Sequence, residues 1–333
     1  MPVLGARMAA NAKGFLDRLL PLLAFCLAGI GCGQEGADPT YSGPKSLPEE
    51  LKAAYSYTRF TGHVTERILK ERSTYTKRQI SFPSTHNILP GQRDILIDYY
   101  DLNGDEKKPV ILVLPIMGGG NSVADSFARY FVQHGYSVAL VHRQKQNDLV
   151  DGLESIDANL CQIIFDHRQA IDWIETRDEL DASRIGVFGI SMGAIKGALI
   201  SALDERVGAS VLALAGGNIP YLLTYSDEPG IARRRAEYLS EHQLTLADLQ
   251  AELTRKITCD PLHFAEYIDA GKVLMVLALF DETVPFEKGR ELKEKMGDPA
   301  TIYLFSGHYT SILFKNYIKY KARKFFERTF PKR

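Results

Sequence analysis

The sequence lacks an excess of charge of either sign. Its 333 residues include 40 Lys and Arg against 41 Asp and Glu, which gives a formal net charge of −1 at pH 7. A protein that binds nucleic acid needs a basic excess to neutralise phosphates, so this balance argues against that class. The hydrophobic fraction of 45% is ordinary for a globular protein, and the chain is long enough to bury a substantial core.

Cysteine is also scarce. Four are present, and only Cys161 and Cys259 lie beyond residue 32. Two cysteines so far apart in sequence do not define a disulfide framework, although an exported protein can pair them. We therefore expect two buried thiols at these positions.

The N-terminal region lacks an apolar run long enough to span a membrane. Arg7, Lys13 and Arg18 form a basic region, and the apolar residues 19–31 that follow are too few for a spanning helix. A basic region followed by a short apolar run is typical of a signal peptide. We predict one over residues 1–32, with Met8 as an alternative start, and we therefore expect the protein to be exported.

The end of the predicted signal peptide carries a further signal. Gly29-Ile30-Gly31-Cys32 resembles the cleavage site of bacterial lipoproteins, in which the cysteine is lipidated and becomes the new N-terminus. We therefore expect lipidation of Cys32, a linker over residues 33–46 and one folded domain over residues 47–333. A lipidated Cys32 would tether that domain to a membrane. Ordinary secretory cleavage between residues 31 and 36 is the alternative.

Common cofactor motifs are missing as well. The sequence contains no H-E-x-x-H motif and no comparable cluster of metal ligands. The run Gly118-Gly119-Gly120 does not have the G-x-G-x-x-G spacing of a dinucleotide site, and no Gly-Lys-Ser/Thr follows it as in a phosphate loop. We expect neither a metal nor a cofactor.

Short apolar runs alternate with helical patterns along most of the chain. The predicted strands cover residues 79–82, 94–100, 110–114, 137–141, 185–188, 211–214, 273–278 and 301–305. The predicted helices cover residues 47–57, 122–134, 157–176, 194–202 and 310–328. Continuous apolar strands separated by helices indicate an α/β fold, with a mostly parallel central sheet and helices on both faces.

One turn signal predicts a local strand pairing. Strand 94–100 is followed by Asp101-Leu102-Asn103-Gly104-Asp105, and Asn-Gly is a strong hairpin signal. We expect a hairpin whose return strand covers residues 110–114. A calcium loop is the weaker interpretation, because the glycine stands two places too early for an EF-hand.

The most informative segment is Gly189-Ile190-Ser191-Met192-Gly193, which lies between a predicted strand and a predicted helix. Strand, G-x-S-x-G and helix together form a nucleophile elbow. A sharp strand-to-helix turn strains its middle residue, and side chains two positions before and after it would collide with neighbouring backbone. The pattern therefore predicts that Ser191 is a nucleophile whose hydroxyl stands clear of the sheet.

A serine nucleophile needs a base, and the base needs an orienting acid. Asp281 follows the apolar strand that begins at residue 273, and His308 follows the next strand along the chain. His308 is the last of the eight histidines and the only one after Asp281, so the chain order Ser, Asp, His selects it. Glu282 is the alternative acid.

An oxyanion hole requires two N–H donors. The residue after the nucleophile, Met192, supplies the first. The loop after strand 110–114 should supply the second, and Met117 is the candidate donor, with Gly118 as the alternative.

From about residue 94 to residue 328, the chain resembles the α/β-hydrolase superfamily. The elbow around Ser191, the turn Asp281-Glu282-Thr283-Val284-Pro285 and the pair Gly307-His308 carry the resemblance. The general shape of the chain is similar to the dienelactone-hydrolase, acetyl-xylan-esterase and serine-peptidase-like branches of the superfamily. Those branches usually have a His-Gly pair in the oxyanion loop, where this chain has Pro115-Ile116.

The resemblance implies acyl transfer by a Ser-His-Asp triad. We expect a serine hydrolase that cleaves a carboxylic ester, either of a small molecule or of a polymer. Peptide or amide cleavage is one alternative, and a non-catalytic binding protein of the same fold is another.

One segment interrupts the alternation of strands and helices. Residues 219–270 are too many for a single crossover, and residues 231–239 and 245–254 have amphipathic helical patterns. We expect a helical insertion that forms a cap over the active site. A peripheral helical decoration is the alternative.

Overall fold

The computed structural model describes residues 40–91, 93–117, 121–142 and 153–330. The predicted signal peptide, Cys32 and residues 33–39 of the predicted linker lie outside the described residues, and so does Gly118. Within the described ranges, no helix combines the length and the apolar character needed to cross a membrane.

The described strands form one nine-stranded sheet. They are β1 Thr65–Glu71, β2 Tyr75–Pro83, β3 Asp94–Leu102, β4 Lys108–Leu114, β5 Ser137–Val141, β6 Leu180–Ile190, β7 Val207–Ala213, β8 Val273–Ala278 and β9 Ala300–Leu304. Their order across the sheet is β1-β2-β3-β5-β4-β6-β7-β8-β9. The first three pairings are antiparallel and the other five are parallel, so the predicted mostly parallel sheet is confirmed.

The helices follow the predicted alternation. They are α1 Glu49–Ala54, α2 Ser122–Val132, α3 Leu153–Glu175, α4 Met192–Leu203, α5 Ile219–Tyr225, α6 Pro229–His242, α7 Leu246–Lys256, α8 Pro261–Phe264, α9 Phe286–Met296 and α10 Lys315–Thr329. A 3₁₀ turn over Thr310–Phe314 precedes α10, so the predicted terminal helix starts in a tighter form than an α-helix.

The helices cover both faces of the sheet. Val113 of β4 lies in a buried cluster with Phe127 of α2 and Phe326 of α10. Its neighbour Leu112 lies in a different cluster, with Ile171 of α3. Successive residues of a strand point to opposite faces, so both faces of β4 are buried. This explains why the central strands appear in the sequence as continuous apolar runs.

The predicted hairpin between β3 and β4 is wrong. β3 pairs with β5, where Tyr99 lies opposite Ala139, and β5 separates β3 from β4. Asn103-Gly104 does turn the chain, since Gly104 has a φ of +125°. However, the Asn103 side-chain amide donates a hydrogen bond to the backbone oxygen of Ser73, just before β2. The turn signal fixes a local bend, whereas strand pairing is decided by contacts over longer distances.

The predicted helices of the insertion are present as α6 and α7. Leu249 and Leu253 of α7 belong to one buried cluster with Ile164 of α3 and Leu199 of α4. The insertion is therefore packed on α3 and α4. That it acts as a cap stays a prediction.

The prediction of two free thiols is wrong. Cys161 of α3 and Cys259, which lies between α7 and α8, form a disulfide. The Tyr55 hydroxyl lies 3.0 Å from Cys259 Sγ, so the disulfide packs against the residue that follows α1. The two cysteines are 98 residues apart, and only the packing of the insertion on α3 brings them together. That packing has no local signal in the sequence.

Removing this disulfide is expected to lower the free energy of unfolding by about 2–5 kcal/mol, because the bridge restricts the unfolded chain over a long loop. Urea unfolding of the wild type and of the Cys161→Ser, Cys259→Ser double variant, with and without dithiothreitol, measures the loss. Dithiothreitol should destabilise the wild type and leave the double variant unchanged. Equal stability of the two proteins without reductant would contradict the prediction.

Candidate active site

Ser191 lies at the junction of β6 and α4, in a strained backbone conformation with φ +54° and ψ −125°. The two flanking glycines make this turn possible. A Cβ atom on Gly189 would lie 2.2 Å from the backbone oxygen of Gly193, and a Cβ atom on Gly193 would lie 2.3 Å from that of Leu114. Neither contact is tolerable, so only glycine fits at both positions. The steric reason predicted for the G-x-S-x-G pattern is therefore present in the structure.

The structure brings the side chains of Ser191, His308 and Asp281 together. His308 Nε2 lies 2.9 Å from Ser191 Oγ, and His308 Nδ1 lies 2.8 Å from Asp281 Oδ2. The other carboxylate oxygen of Asp281 accepts a hydrogen bond of 2.8 Å from the Val284 N–H. A carboxylate that is only 5% exposed and held at both oxygens can fix the orientation of the imidazole.

Asp281, and not the alternative Glu282, contacts His308, since the side chain of Glu282 is exposed to solvent. Asp281 lies in the loop that follows the carboxyl end of β8, and His308 lies in the loop that follows β9. Ser191 leaves the carboxyl end of β6, and all these strands are parallel. The carboxyl ends of parallel strands meet at one edge of the sheet, where ligands bind in open α/β folds.

Several residues without a recognised sequence signal hold the turn that carries His308. Thr310 Oγ1 accepts a hydrogen bond from the Gly307 N–H, and Ser306 Oγ lies 2.8 Å from Ser311 Oγ. The Phe280 N–H also donates to the backbone oxygen of Ser306, which ties the loop after β8 to the loop after β9. These bonds link the segments that carry Asp281 and His308. A threonine three residues after a glycine is the one local pattern that could have indicated this turn.

The two predicted oxyanion donors, Met192 and Met117, line the same cavity as Ser191. Met192 is the first residue of α4, where backbone N–H groups have no intrahelical partner and are suited to bind an anion. Met117 follows β4. Gly118 lies outside the described residues, and the choice of the second donor stays a prediction.

A cavity of about 420 Å³ opens over Ser191 and His308. Its walls come from the loop after β4, from α2, from the elbow, from α5 and α6 of the insertion, and from the segment after His308. Most of the lining side chains are apolar, among them Ile116, Ile190 and Val284. An apolar cavity with a few convergent polar groups is typical of a site for a small organic ligand.

A second, larger cavity of about 870 Å³ lies at the opposite edge of the sheet, where β7 and β8 begin. Several charged side chains of its lining are held in ion pairs, among them Arg168 with Asp204. Arg206, for example, forms ion pairs with Asp172 and Asp204. The cavity at the carboxyl edge is therefore the better candidate for a binding site.

One cluster in the described part of the chain has the composition of a metal site: Asp157, Cys161 and Cys259. Its two sulfur atoms are joined in the disulfide, so neither is available as a thiolate ligand.

The structure is similar to solved enzymes of one fold. Acetyl xylan esterase 1 from Thermoanaerobacterium sp. JW/SL YS485 is 14% identical, with a TM-score of 0.62, over 90% of this chain and 96% of that one. An acetyl xylan esterase from Paenibacillus sp. R4 is 15% identical, with a TM-score of 0.57, over 82% and 99% of the two chains. Pyrococcus horikoshii acylaminoacyl peptidase is 17% identical, with a TM-score of 0.55, over 79% of this chain and 42% of that one.

At these identities the likeness shows the fold, and the chain has the α/β-hydrolase fold predicted from its sequence. No protein-family model matches the chain, and no curated protein matches it significantly.

Proposed function

We propose that the protein is a serine hydrolase that cleaves carboxylic esters. One observation carries the proposal: a continuous hydrogen-bonded line runs from the strained Ser191 through His308 to the buried Asp281. A hydroxyl, an imidazole and a carboxylate in this order form the proton-transfer line of a nucleophilic serine. Ser191 and His308 also line an apolar cavity, which supports the proposal that an organic substrate reaches the hydroxyl.

The proposed reaction has two stages. Ser191 Oγ attacks the ester carbonyl while His308 Nε2 takes the hydroxyl proton, and the carbonyl oxygen becomes an anion bound by the N–H groups of Met192 and Met117. The carbonyl then re-forms as the alcohol leaves with the proton from His308. Water, deprotonated by His308, attacks the acyl-enzyme in the same way, which releases the acid and restores Ser191.

Matched esters and amides test the proposal. We expect kcat/KM for a p-nitrophenyl ester to exceed that for the p-nitroanilide of the same acid, because p-nitrophenolate leaves the tetrahedral intermediate more readily than the anilide nitrogen does. A preference for the anilide would indicate an amidase or peptidase of the same fold. Failure of the folded protein to turn over either substrate would favour a non-catalytic binding protein.

We also propose that the protein is exported and tethered through a lipidated Cys32. The disulfide between Cys161 and Cys259 supports export, since structural disulfides persist in oxidising compartments. Mass spectrometry of the mature N-terminus tests the tether. An unmodified start at Gly33 or beyond would contradict it.

A further inference from the structure

The cavity over Ser191 is apolar on two sides, above opposite faces of the sheet. We define the helix lobe as the side lined by Val123 and Phe127 of α2, Ile190, Ile312 and Ile318 of α10. Phe127 and Ile318 belong to the buried cluster on the face that α2 and α10 cover.

We define the insertion lobe as the side lined by Met192 and Ile195 of α4, Ile219, Leu222 and Leu223 of α5, and Ile231 of α6. Ile195, Ile219 and Leu222 belong to a separate buried cluster with residues of α3 and α7. The nucleophile thus stands between two apolar walls that are built from different parts of the fold.

If the proposed function is correct, the position of His308 indicates which lobe binds the alcohol of the ester and which binds the acyl group. His308 must reach the oxygen of the departing alcohol, so the alcohol lies on the histidine side of the carbonyl. Ile312 follows His308 by about one turn and lines the helix lobe. The acyl group, on the other side of the carbonyl, therefore lies in the insertion lobe.

Two polar side chains beside the insertion lobe make local hydrogen bonds. Ser226 Oγ donates to the backbone oxygen of Thr283, and Glu228 Oε2 accepts a hydrogen bond from the Ile231 N–H. The apolar wall of the insertion lobe can bury methylene groups.

The cavity is also larger than an acetyl group requires. At roughly 30 Å³ per heavy atom, the share of one water in the liquid, the volume of about 420 Å³ has room for about 14 heavy atoms of the acyl and alcohol groups together. An acetyl group offers two carbons. We propose that the substrates are esters of aliphatic acids of about four to eight carbons, with the acyl chain in the insertion lobe.

A chain-length series tests this proposal. For p-nitrophenyl acetate, butyrate, hexanoate and octanoate, kcat/KM should rise about fourfold per added methylene, the ratio that corresponds to burial of one methylene. The rise should continue at least to the hexanoate. A maximum at the acetate would overturn the proposal while leaving the esterase function intact.

Two matched tryptophan variants locate the chain. Leu223 and Val123 are both half-buried and line opposite lobes. Leu223→Trp fills the insertion lobe and should lower the hexanoate-to-acetate ratio of kcat/KM at least tenfold. Val123→Trp should leave that ratio unchanged. The reverse result would place the acyl chain in the helix lobe and overturn the assignment.

Leu223→Asn provides a second test of the lobe assignment if the tryptophan at position 223 disturbs folding. An amide in the insertion lobe should flatten the chain-length series, because each methylene then meets a polar wall. An unchanged series would overturn the assignment. Failure of the folded wild type to hydrolyse any ester, together with no reaction with a fluorophosphonate, would instead remove the proposed function itself.

Discussion

Replacing Ser191 by alanine is expected to lower kcat on a p-nitrophenyl ester by a factor on the order of 10⁶. The hydroxyl that attacks the carbonyl is lost, and the imidazole has no proton to accept. His308→Ala should cost about as much, since the hydroxyl is a weak nucleophile without its base. The double variant should be no slower than either single variant, because the two side chains act as one unit.

Ser201→Ala is the matched control for Ser191→Ala. Ser201 lies on the same helix, α4, and its hydroxyl donates to the backbone oxygen of Gly197. At about 1.5 Å of rise per residue, it stands roughly 15 Å along the helix from the nucleophile. The control should retain wild-type kcat. Ser191→Ala activity within tenfold of wild type, in protein with an unchanged melting temperature, would contradict the assignment.

Replacing Asp281 by asparagine is expected to lower kcat by a factor on the order of 10⁴. Asparagine has the same shape and leaves an oxygen for the Val284 N–H. Its amide N–H groups, however, point at His308 Nδ1 and favour the tautomer whose Nε2 carries the proton. That tautomer cannot accept the Ser191 proton, so the base is lost while the fold is retained.

Glu282→Gln is the neighbouring control, because Glu282 is exposed and adjacent in sequence. Steady-state kinetics on the same ester compares the two variants, and Glu282→Gln should stay close to wild type. Nearly normal kcat in Asp281→Asn, together with an inactive Glu282→Gln, would show that Glu282 is the acid.

The parts of the site that could be predicted from the sequence are those with local physical causes. Gly189 and Gly193 are required by contacts with nearby backbone, so the pentapeptide itself reports the turn. Asp281 and His308 follow apolar strands directly, and a strand end fixes which edge of the sheet a residue occupies. The sequence therefore predicted which three side chains the structure brings together.

The features that escaped prediction depend on long-range contacts or leave no pattern. All seven residues of β1 are exposed, so it shows no apolar alternation. The insertion of β5 between β3 and β4 is decided by pairing across the sheet. The disulfide joins residues that come together only after the insertion packs on α3. The two lobes of the cavity likewise arise from helices that are distant in sequence.

Covalent labelling by a fluorophosphonate, mapped by mass spectrometry, tests the central claim most directly. These reagents phosphonylate serines that a neighbouring base has activated. We predict one adduct on the peptide that carries Ser191, lost in Ser191→Ala and strongly slowed in His308→Ala. A folded wild-type protein that takes up no label, or takes it up at another serine, would contradict the account.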